Sequence, residues 1–447
     1  MSIATPKLRT LTLGCKVNQY ETELVSEGLL GAGYTPAAAH EPADLCFVNT
    51  CTVTAEGDAK SRQQIRRLAR DNPQARIVVM GCYATRAPEE VAELPGVAEV
   101  VTDKRELPDL LGRFGVVEMP TGITSFGSRH RAYVKVQDGC LLRCSFCIIP
   151  QVRPHVASRP VPHILDEVQR LVANGYREVV LTGIHLGHYG VEWNRGRAKR
   201  DWTRLSHLLD KVAQLEGDFR VRLSSIEATE VTRELIEVMQ DYGDRICPHL
   251  HISMQSGSDD VLRRMRRRWG AQRFVDRCEL LKAALDEPAI TTDIIVGFPG
   301  ERDADFEATC DVARQVGFSK IHVFPFSARR GTPAAEMPNP IDPRLKQERT
   351  RALTELEGAL REDYFRRLAG RRLRVLVERV DPEAAGHLLG TSCRYAPVSL
   401  PGQSAQMGDF VDVVAGSWVA GKCVAGRIQG APVAAHKVAP NPRSSTC

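Results

Sequence analysis

The chain has 447 residues, 43% of them apolar and 26% charged, with a formal net charge of +5, which is the make-up of a globular protein of two or three domains. No apolar run reaches the roughly 20 residues a membrane span needs, and Met1 to Lys7 lacks the apolar core of a secretory signal, so a cytoplasmic protein with no membrane partner is expected. Thirteen cysteines in such a chain point to metal or reactive thiols rather than to a disulfide framework.

In chain order, residues 8–115 alternate strand-like and helical sequence. Leu8 to Leu13, Asp44 to Val48 and Arg76 to Met80 read as strands; Asn18 to Leu30 and Ala55 to Arg70 read as helices. That alternation predicts a small parallel α/β sheet. Residues 118–131, rich in Gly, Ser and Thr, read as a linker. From 132 the alternation restarts. Strands are expected at Ala132 to Val136, Glu178 to Leu181, Arg220 to Leu223, His249 to Met254, Thr291 to Val296 and Lys320 to Phe324, with amphipathic helices between them. Six such units predict a partial (β/α)6 barrel, whose chemistry gathers at the C-terminal ends of its strands. A long charged helix is expected over 341–369. Residues 371–428 turn to short β-branched runs broken by Gly and Pro, which read as a small β-barrel. The tail from 431 to 447 reads as disordered. The fold class is thus α/β with a C-terminal β-barrel, divided as 5–117, 126–365 and 368–430.

The sharpest signal is Cys140-Leu-Leu-Arg-Cys144-Ser-Phe-Cys147, directly after the first barrel strand. Three thiolates on one loop can each take one iron of a [4Fe–4S] cube, whereas a cluster used only for electron transfer normally has four. The next cysteine in sequence is Cys247, so one iron is left open to chelate a small molecule. The amino and carboxylate groups of S-adenosylmethionine suit that role. A zinc loop is the competing reading, but zinc wants four ligands from nearby pairs, and His155 is the only imidazole close by in sequence. The motif, with an aromatic at Phe146, resembles that of the radical S-adenosylmethionine superfamily. The resemblance implies that the cube cleaves the cofactor to a 5′-deoxyadenosyl radical. It also implies cofactor contacts at the strand ends: Thr182 and Gly183 after the second strand, Ser225 and Glu227 after the third, Gln255 after the fourth, and Asp293, Gly297 and Phe298 after the fifth.

Cys15, Cys51 and Cys82 share one context, each directly following a predicted strand. In a parallel sheet those ends lie together on the edge where ligands bind, so the three can hold a second [4Fe–4S] cube; buried structural cysteines are the alternative. Cys46 lies inside its strand, five residues before Cys51, and so faces the other side of the sheet; it reads as core. Up to about residue 430 the chain resembles the methylthiotransferases: an N-terminal cluster domain, a radical barrel and a small β-barrel of the TRAM type. Gly14-Cys15-Lys16-Val17-Asn18-Gln19-Tyr20-Glu21-Thr22 and Asn49-Thr50-Cys51-Thr52-Val53-Thr54 are most similar to the branch that modifies N6-threonylcarbamoyladenosine in tRNA. Pro154 and Ala228 depart from the family pattern.

The resemblance implies methylthio transfer to C2 of that adenosine, next to the anticodon. A C–H bond of this kind is out of reach of acid–base catalysis but open to a carbon radical. A low-potential electron donor such as flavodoxin or ferredoxin is then required. The same chemistry on isopentenyladenosine or on a ribosomal protein, and a catalytically silent iron–sulfur RNA-binding protein, stay open. Basic residues bunch at Lys60, Arg62, Arg66, Arg67 and Arg70, at 195–200, at 263–268, and at Arg366, Arg367, Arg371, Arg372 and Arg374. Each bunch alone reads as a solvated helix face; together they point to nucleic acid. Lys60, Arg62, Arg66, Arg67, Arg371 and Arg372 are the expected tRNA-phosphate contacts.

Overall fold

In the computed structural model, which describes residues 5–127, 130–419 and 421–429, the N-terminal sheet is built from β1 (Lys7–Thr12), β2 (Thr35–Pro36), β3 (Leu45–Thr50), β4 (Arg76–Gly81) and β5 (Val97–Val100). All are parallel, in the order β2-β1-β3-β4-β5. Every residue of β3 is buried, as a strand covered on both faces requires. The helix Lys16–Gly31 buries Val17, Tyr20, Val25 and Leu29. The helix Ala55–Asp71 starts at Thr54, whose hydroxyl accepts from the Gly57 N–H at 3.1 Å, a standard N-cap.

The central unit carries six parallel strands: β6 (Arg131–Asp138), β8 (Glu178–Gly183), β9 (Arg220–Leu223), β11 (His249–Ile252), β12 (Ala289–Val296) and β13 (Lys320–Pro325). Two short strands join them. β7 (Ala157–Ser158) runs antiparallel to β6, and β10 (Ser225–Ile226) pairs with β11. A bridge from Val221 to Ile246 links the halves of the open barrel. The stretch expected to be a linker is instead anchored. Ile123 and Phe126 are buried, and their N–H groups donate to the Glu167 carboxylate at 2.7 Å and the Tyr176 hydroxyl at 2.5 Å.

After the helix Pro343–Arg367 comes a closed barrel in the order β14-β15-β16-β18-β17: β14 (Arg372–Val380), β15 (His387–Ser392), β16 (Pro397–Pro401), β17 (Phe410–Val419) and β18 (Lys422–Gln429). β15 and β16 were not expected from sequence, because Gly390, Pro397 and Pro401 hide their alternation. The expected disordered tail lies outside the described residues.

This small barrel closes the N-terminal end of the larger one through a buried ionic knot. Glu178, fully buried, accepts from Arg220 at 2.6 Å and Arg222 at 3.0 Å, and pairs with Arg131 at 2.8 Å. The other nitrogens of Arg220 donate to the backbone oxygens of Arg374 and Thr391 at 2.6 and 2.8 Å, and those of Arg222 to Ser392 and Cys393, both at 3.1 Å. The rings of the C-terminal barrel also make contacts within the protein. Tyr395 stacks on His249 and lies under Arg222, Trp418 packs on Phe365, and Phe410 lies under Arg374. Replacing Glu178 with Ala strands buried guanidinium groups, a loss worth about 3–5 kcal/mol. Chemical unfolding of Glu178→Ala is expected to begin at lower denaturant, with the C-terminal barrel cleaved first in limited proteolysis; a midpoint equal to wild type would contradict the knot.

Candidate active site

The loop carrying Cys140, Cys144 and Cys147 leaves β6 and ends in the short helix Ile149–Val152. The Leu142 N–H donates to the Cys140 sulfur at 3.4 Å and the Cys147 N–H to the Cys144 carbonyl at 3.1 Å. Ser145 pins the loop to the turn at 264–265: its N–H donates to the Met265 carbonyl at 3.1 Å and its hydroxyl to Arg264 O at 2.8 Å. All three sulfurs open on one cavity of about 160 Å3, also lined by Phe146, Ile184, His185, Ser225, Glu227, Ser253, Gln255 and Arg267. Burial pushes the Cys144 thiol up, and the Cys147 thiol to about 12. Soft sulfur ligands on one closed loop, with a cation beside them, suit a metal cluster.

The cation is Arg267. Its Nη1 donates to Cys144 Sγ at 3.3 Å, and its Nη2 pairs with Glu227, which also accepts from the Trp269 indole at 3.1 Å. Sequence placed Arg267 in a solvated basic bunch. Arg266 takes φ +58°, and that turn sends the next side chain inward, where it is 3% exposed. His185 was also missed. Its Nδ1 meets Cys140 Sγ at 3.3 Å, its Nε2 pairs with Glu230, and its ring stacks on His188 with centroids 3.7 Å apart. Burial lowers the His185 pKa, but the bonds to Cys140 and Glu230 outweigh it and hold the imidazole up at about 10. Two imidazoles thus stand by Cys140, while the His155 singled out in the sequence is exposed.

The expected cofactor contacts divide. Phe146, Ser225, Glu227 and Gln255 line the cavity. Gln255 does so at φ +69°, a strained conformation of the kind that gathers at functional sites. Thr182 is buried and does not line the cavity, and Gly183 packs on Gln137, which a side chain there would crowd at 3.1 Å. Phe298 is buried in an apolar cluster against which Phe146 packs. Gly297 lies under Lys346. Asp293 faces His251 at 3.3 Å.

Cys15, Cys51 and Cys82 follow β1, β3 and β4 and meet on one edge. Gly14 has φ +98°, and a Cβ there would stand 2.8 Å from that of Cys51; Gly81 has φ +101°, and a Cβ there would lie 2.4 Å from Thr50 O. Only glycine permits these turns, which bring the sulfurs together. The Cys51 thiol is raised by burial and by the neighbouring Cys82 and Cys15. The barrel contributes to this edge. Arg153 Nε donates to Cys82 Sγ at 3.5 Å, and its Nη2 donates to Asn18 Oδ1 at 2.8 Å, itself 3.8 Å from Cys15 Sγ. Cys46 is fully buried in the opposite apolar cluster, its thiol pushed up to about 11 by burial.

Of the expected phosphate contacts, Lys60, Arg66, Arg67 and Arg372 are exposed. Arg62 donates to the Tyr83 hydroxyl at 3.0 Å, and Arg371 pairs with Asp286.

Sequence profiles match in three places: that of the Radical SAM superfamily over residues 134–313, that of the uncharacterised protein family UPF0004 over 7–103, and that of the TRAM domain over 366–414. The chain is 39% identical over 421 residues to the threonylcarbamoyladenosine tRNA methylthiotransferase MtaB of Bacillus subtilis, covering 90% of this chain and 92% of that one. The chain belongs to the radical S-adenosylmethionine methylthiotransferases. MtaB of Thermotoga maritima is 38% identical, with 83% and 86% of the two chains covered. The tRNA-2-methylthio-N(6)-dimethylallyladenosine synthase of Mycolicibacterium paratuberculosis is 37% identical, with 82% and 74% covered. Among solved structures, the radical S-adenosylmethionine methyltransferase TsrM from Kitasatospora setae shares the fold at 13% identity, with a TM-score of 0.54 and 74% and 77% of the chains covered. A radical methylthiotransferase uses S-adenosylmethionine and two [4Fe–4S] clusters. Among the described residues no helix is long and apolar enough to cross a membrane. The separation of Cys46 from the three edge thiols is testable in the apoprotein: brief alkylation at mild pH should label the exposed Cys15 early and spare Cys46 until the chain is unfolded, as read by peptide mass spectrometry, and early labelling of Cys46 would remove it from the core.

Proposed function

We propose that the protein transfers a methylthio group to C2 of N6-threonylcarbamoyladenosine next to the anticodon of tRNA. Cys140, Cys144 and Cys147 hold the radical-generating cluster, and Cys15, Cys51 and Cys82 hold the second. The observation that carries this is the join between the two cysteine sets: Arg153 reaches from the loop of one to a sulfur of the other. The near end-to-end likeness to two MtaB proteins supports the threonylcarbamoyl substrate over the dimethylallyl one.

When bound, the clusters and cofactor supply a carbon radical able to take hydrogen from an unactivated C–H, and a sulfur to replace it. The chain's own residues position and exclude. Ser225 and Gln255 offer polar groups to the cofactor, and Phe146 and Ile184 give the cavity apolar wall. Arg267 holds positive charge beside Cys144 and is itself held by Glu227. Lys60, Arg66, Arg67 and Arg372 offer phosphate contacts on exposed surface. The working division of the chain is 5–117, 126–365 and 368–430, acting in the cytoplasm with a flavodoxin or ferredoxin as electron donor.

Two measurements test this. Nucleosides from tRNA of a deletion strain should lack 2-methylthio-N6-threonylcarbamoyladenosine and accumulate its unmethylthiolated precursor. Loss of the dimethylallyl product instead would overturn the substrate. In the reconstituted protein, replacing Cys140, Cys144 and Cys147 together with Ala should remove about half of the iron, one cube of two, and all 5′-deoxyadenosine formation. The triple variant at Cys15, Cys51 and Cys82 should keep that cleavage and transfer no methylthio group. Cofactor cleavage by the first variant would refute the assignment.

A further inference from the structure

The cavity at the central cysteines does not end at its lining. Ser225 on β10 is the register partner of His251 on β11, and Ser253, two residues beyond His251, lines the cavity as well. The wall continues across the sheet. His251 lies 3.3 Å from Asp293 on β12, and Asp293 is the register partner of His322 on β13. Ligand-type atoms of His251, Asp293 and His322 all lie within 4.8 Å of one another. The alternate residues Ile252, Ile294 and Ile321 are buried in the helix-side core, so the polar three share the inner face. Two residues on from His322, on that same face, stands Phe324, 48% exposed. The His251 ring is anchored through Nδ1 to the Thr291 hydroxyl at 3.0 Å, and its buried Nε2 faces the Asp293 carboxylate at 3.3 Å without hydrogen-bond geometry.

An open aromatic ring beside a convergent donor–acceptor set is how proteins take a base out of its stack: the ring covers the face and the polar groups read an edge. The inner wall runs from the reaction cavity toward β13, away from the two ends covered by the N-terminal domain and the C-terminal barrel. We propose that Phe324, His322, Asp293 and His251 form the seat of the substrate purine: Phe324 stacks on the ring, and the polar three read its N6 substituent. This rests on the reading above that the substrate is N6-threonylcarbamoyladenosine. The substituent offers urea-type N–H groups, which the Asp293 carboxylate can accept, and a carboxylate, to which an imidazole N–H can donate. An apolar dimethylallyl group would offer these polar side chains no partner of its own, a discrimination of the strong kind.

Binding of anticodon stem-loop RNA to the reconstituted full-length protein, measured anaerobically, tests it. Phe324→Ala should weaken binding on the order of tenfold for stem-loops with either threonylcarbamoyladenosine or plain adenosine, as loss of one base–aromatic stack does, and Phe324→Tyr should restore it. His322→Ala should weaken only the threonylcarbamoyl stem-loop. Iron content reports folding, and Phe324→Leu, expected to lose the stack likewise, replaces an alanine variant that fails to load iron. Wild-type affinity in both the Phe324 and His322 variants would overturn the seat, as would equal loss on both RNAs in His322→Ala. A further metal ion bound in wild type and lost in His322→Ala, with RNA binding unchanged, would make the trio a metal site instead. If wild type prefers a dimethylallyl stem-loop, the substrate reading fails; if it prefers the threonylcarbamoyl one and the variants do too at full affinity, only this inference fails.

Discussion

Two arginines from the barrel are buried in the N-terminal domain, and the relation between the two cysteine sets depends on them. Arg153 donates to Glu21 at 2.9 and 3.0 Å, to Asp138 at 2.8 and 3.0 Å, and to Asn18 and Cys82. Arg329 pairs with Asp58 at 2.5 Å and bonds Thr52, the residue after Cys51. Burial pushes the Glu21 carboxyl up, yet Arg153, Lys104 and Lys135 outweigh it and hold it well below the usual carboxylate range. Ion pairs of this kind add little over apolar packing but cost several kcal/mol when half-made. They therefore favour one docking of the domains over any slipped alternative. The apolar contact at Cys82 is small, with Ile148 and Val152 as its core, and would not fix a register alone.

Features written locally could be read from sequence. The three-thiol loop is contiguous, and the strand ends at Cys15, Cys51 and Cys82 repeat one context, so their convergence followed from parallel topology. The six barrel strands were legible because each is an apolar run followed by an amphipathic helix. What could not be read joins distant segments. Glu178 gathers three arginines from two strands and, through them, the C-terminal barrel; each charge alone looks like an ordinary surface residue. Arg267 and His185 are of the same kind, one hidden in a basic run and the other two residues past the end of β8. The anchored stretch before β6 misled for a related reason: its polar composition says nothing of Ile123 and Phe126, the two side chains that bury it.

The ionic knot at one end and the N-terminal domain at the other give the open barrel a covered top and bottom. That disposition bears on how the C-terminal barrel contributes. Its rings contact His249, Phe365 and Arg374, and Arg372 is exposed. Phosphate contacts from an exposed arginine position RNA without reading it. Because Arg220 and Arg222 hold backbone carbonyls of β15 and its neighbour loop, the C-terminal barrel is also a structural lid, and removing it would strip partners from buried charges.

The chemistry sets which parts can differ between relatives of one reaction type. Arg153 and Arg329 tie the barrel to the N-terminal domain next to Cys82 and Cys51, at contacts remote from the inner wall of β11 to β13. The N6 substituents named in the relatives differ in charge: threonylcarbamoyl is anionic and rich in hydrogen-bonding groups, dimethylallyl is a hydrocarbon. A wall that must accept one and refuse the other has to change its polarity, because an unmatched buried polar group costs about 1–3 kcal/mol. In this chain the inner wall is polar at His251, Asp293 and His322 while the helix-side residues beneath are aliphatic. In the proposed seat, selectivity rests on a few inward side chains of β11 to β13, on strands whose outer faces hold the core, apart from both the cysteine sets and the ionic contacts of Arg153 and Arg329.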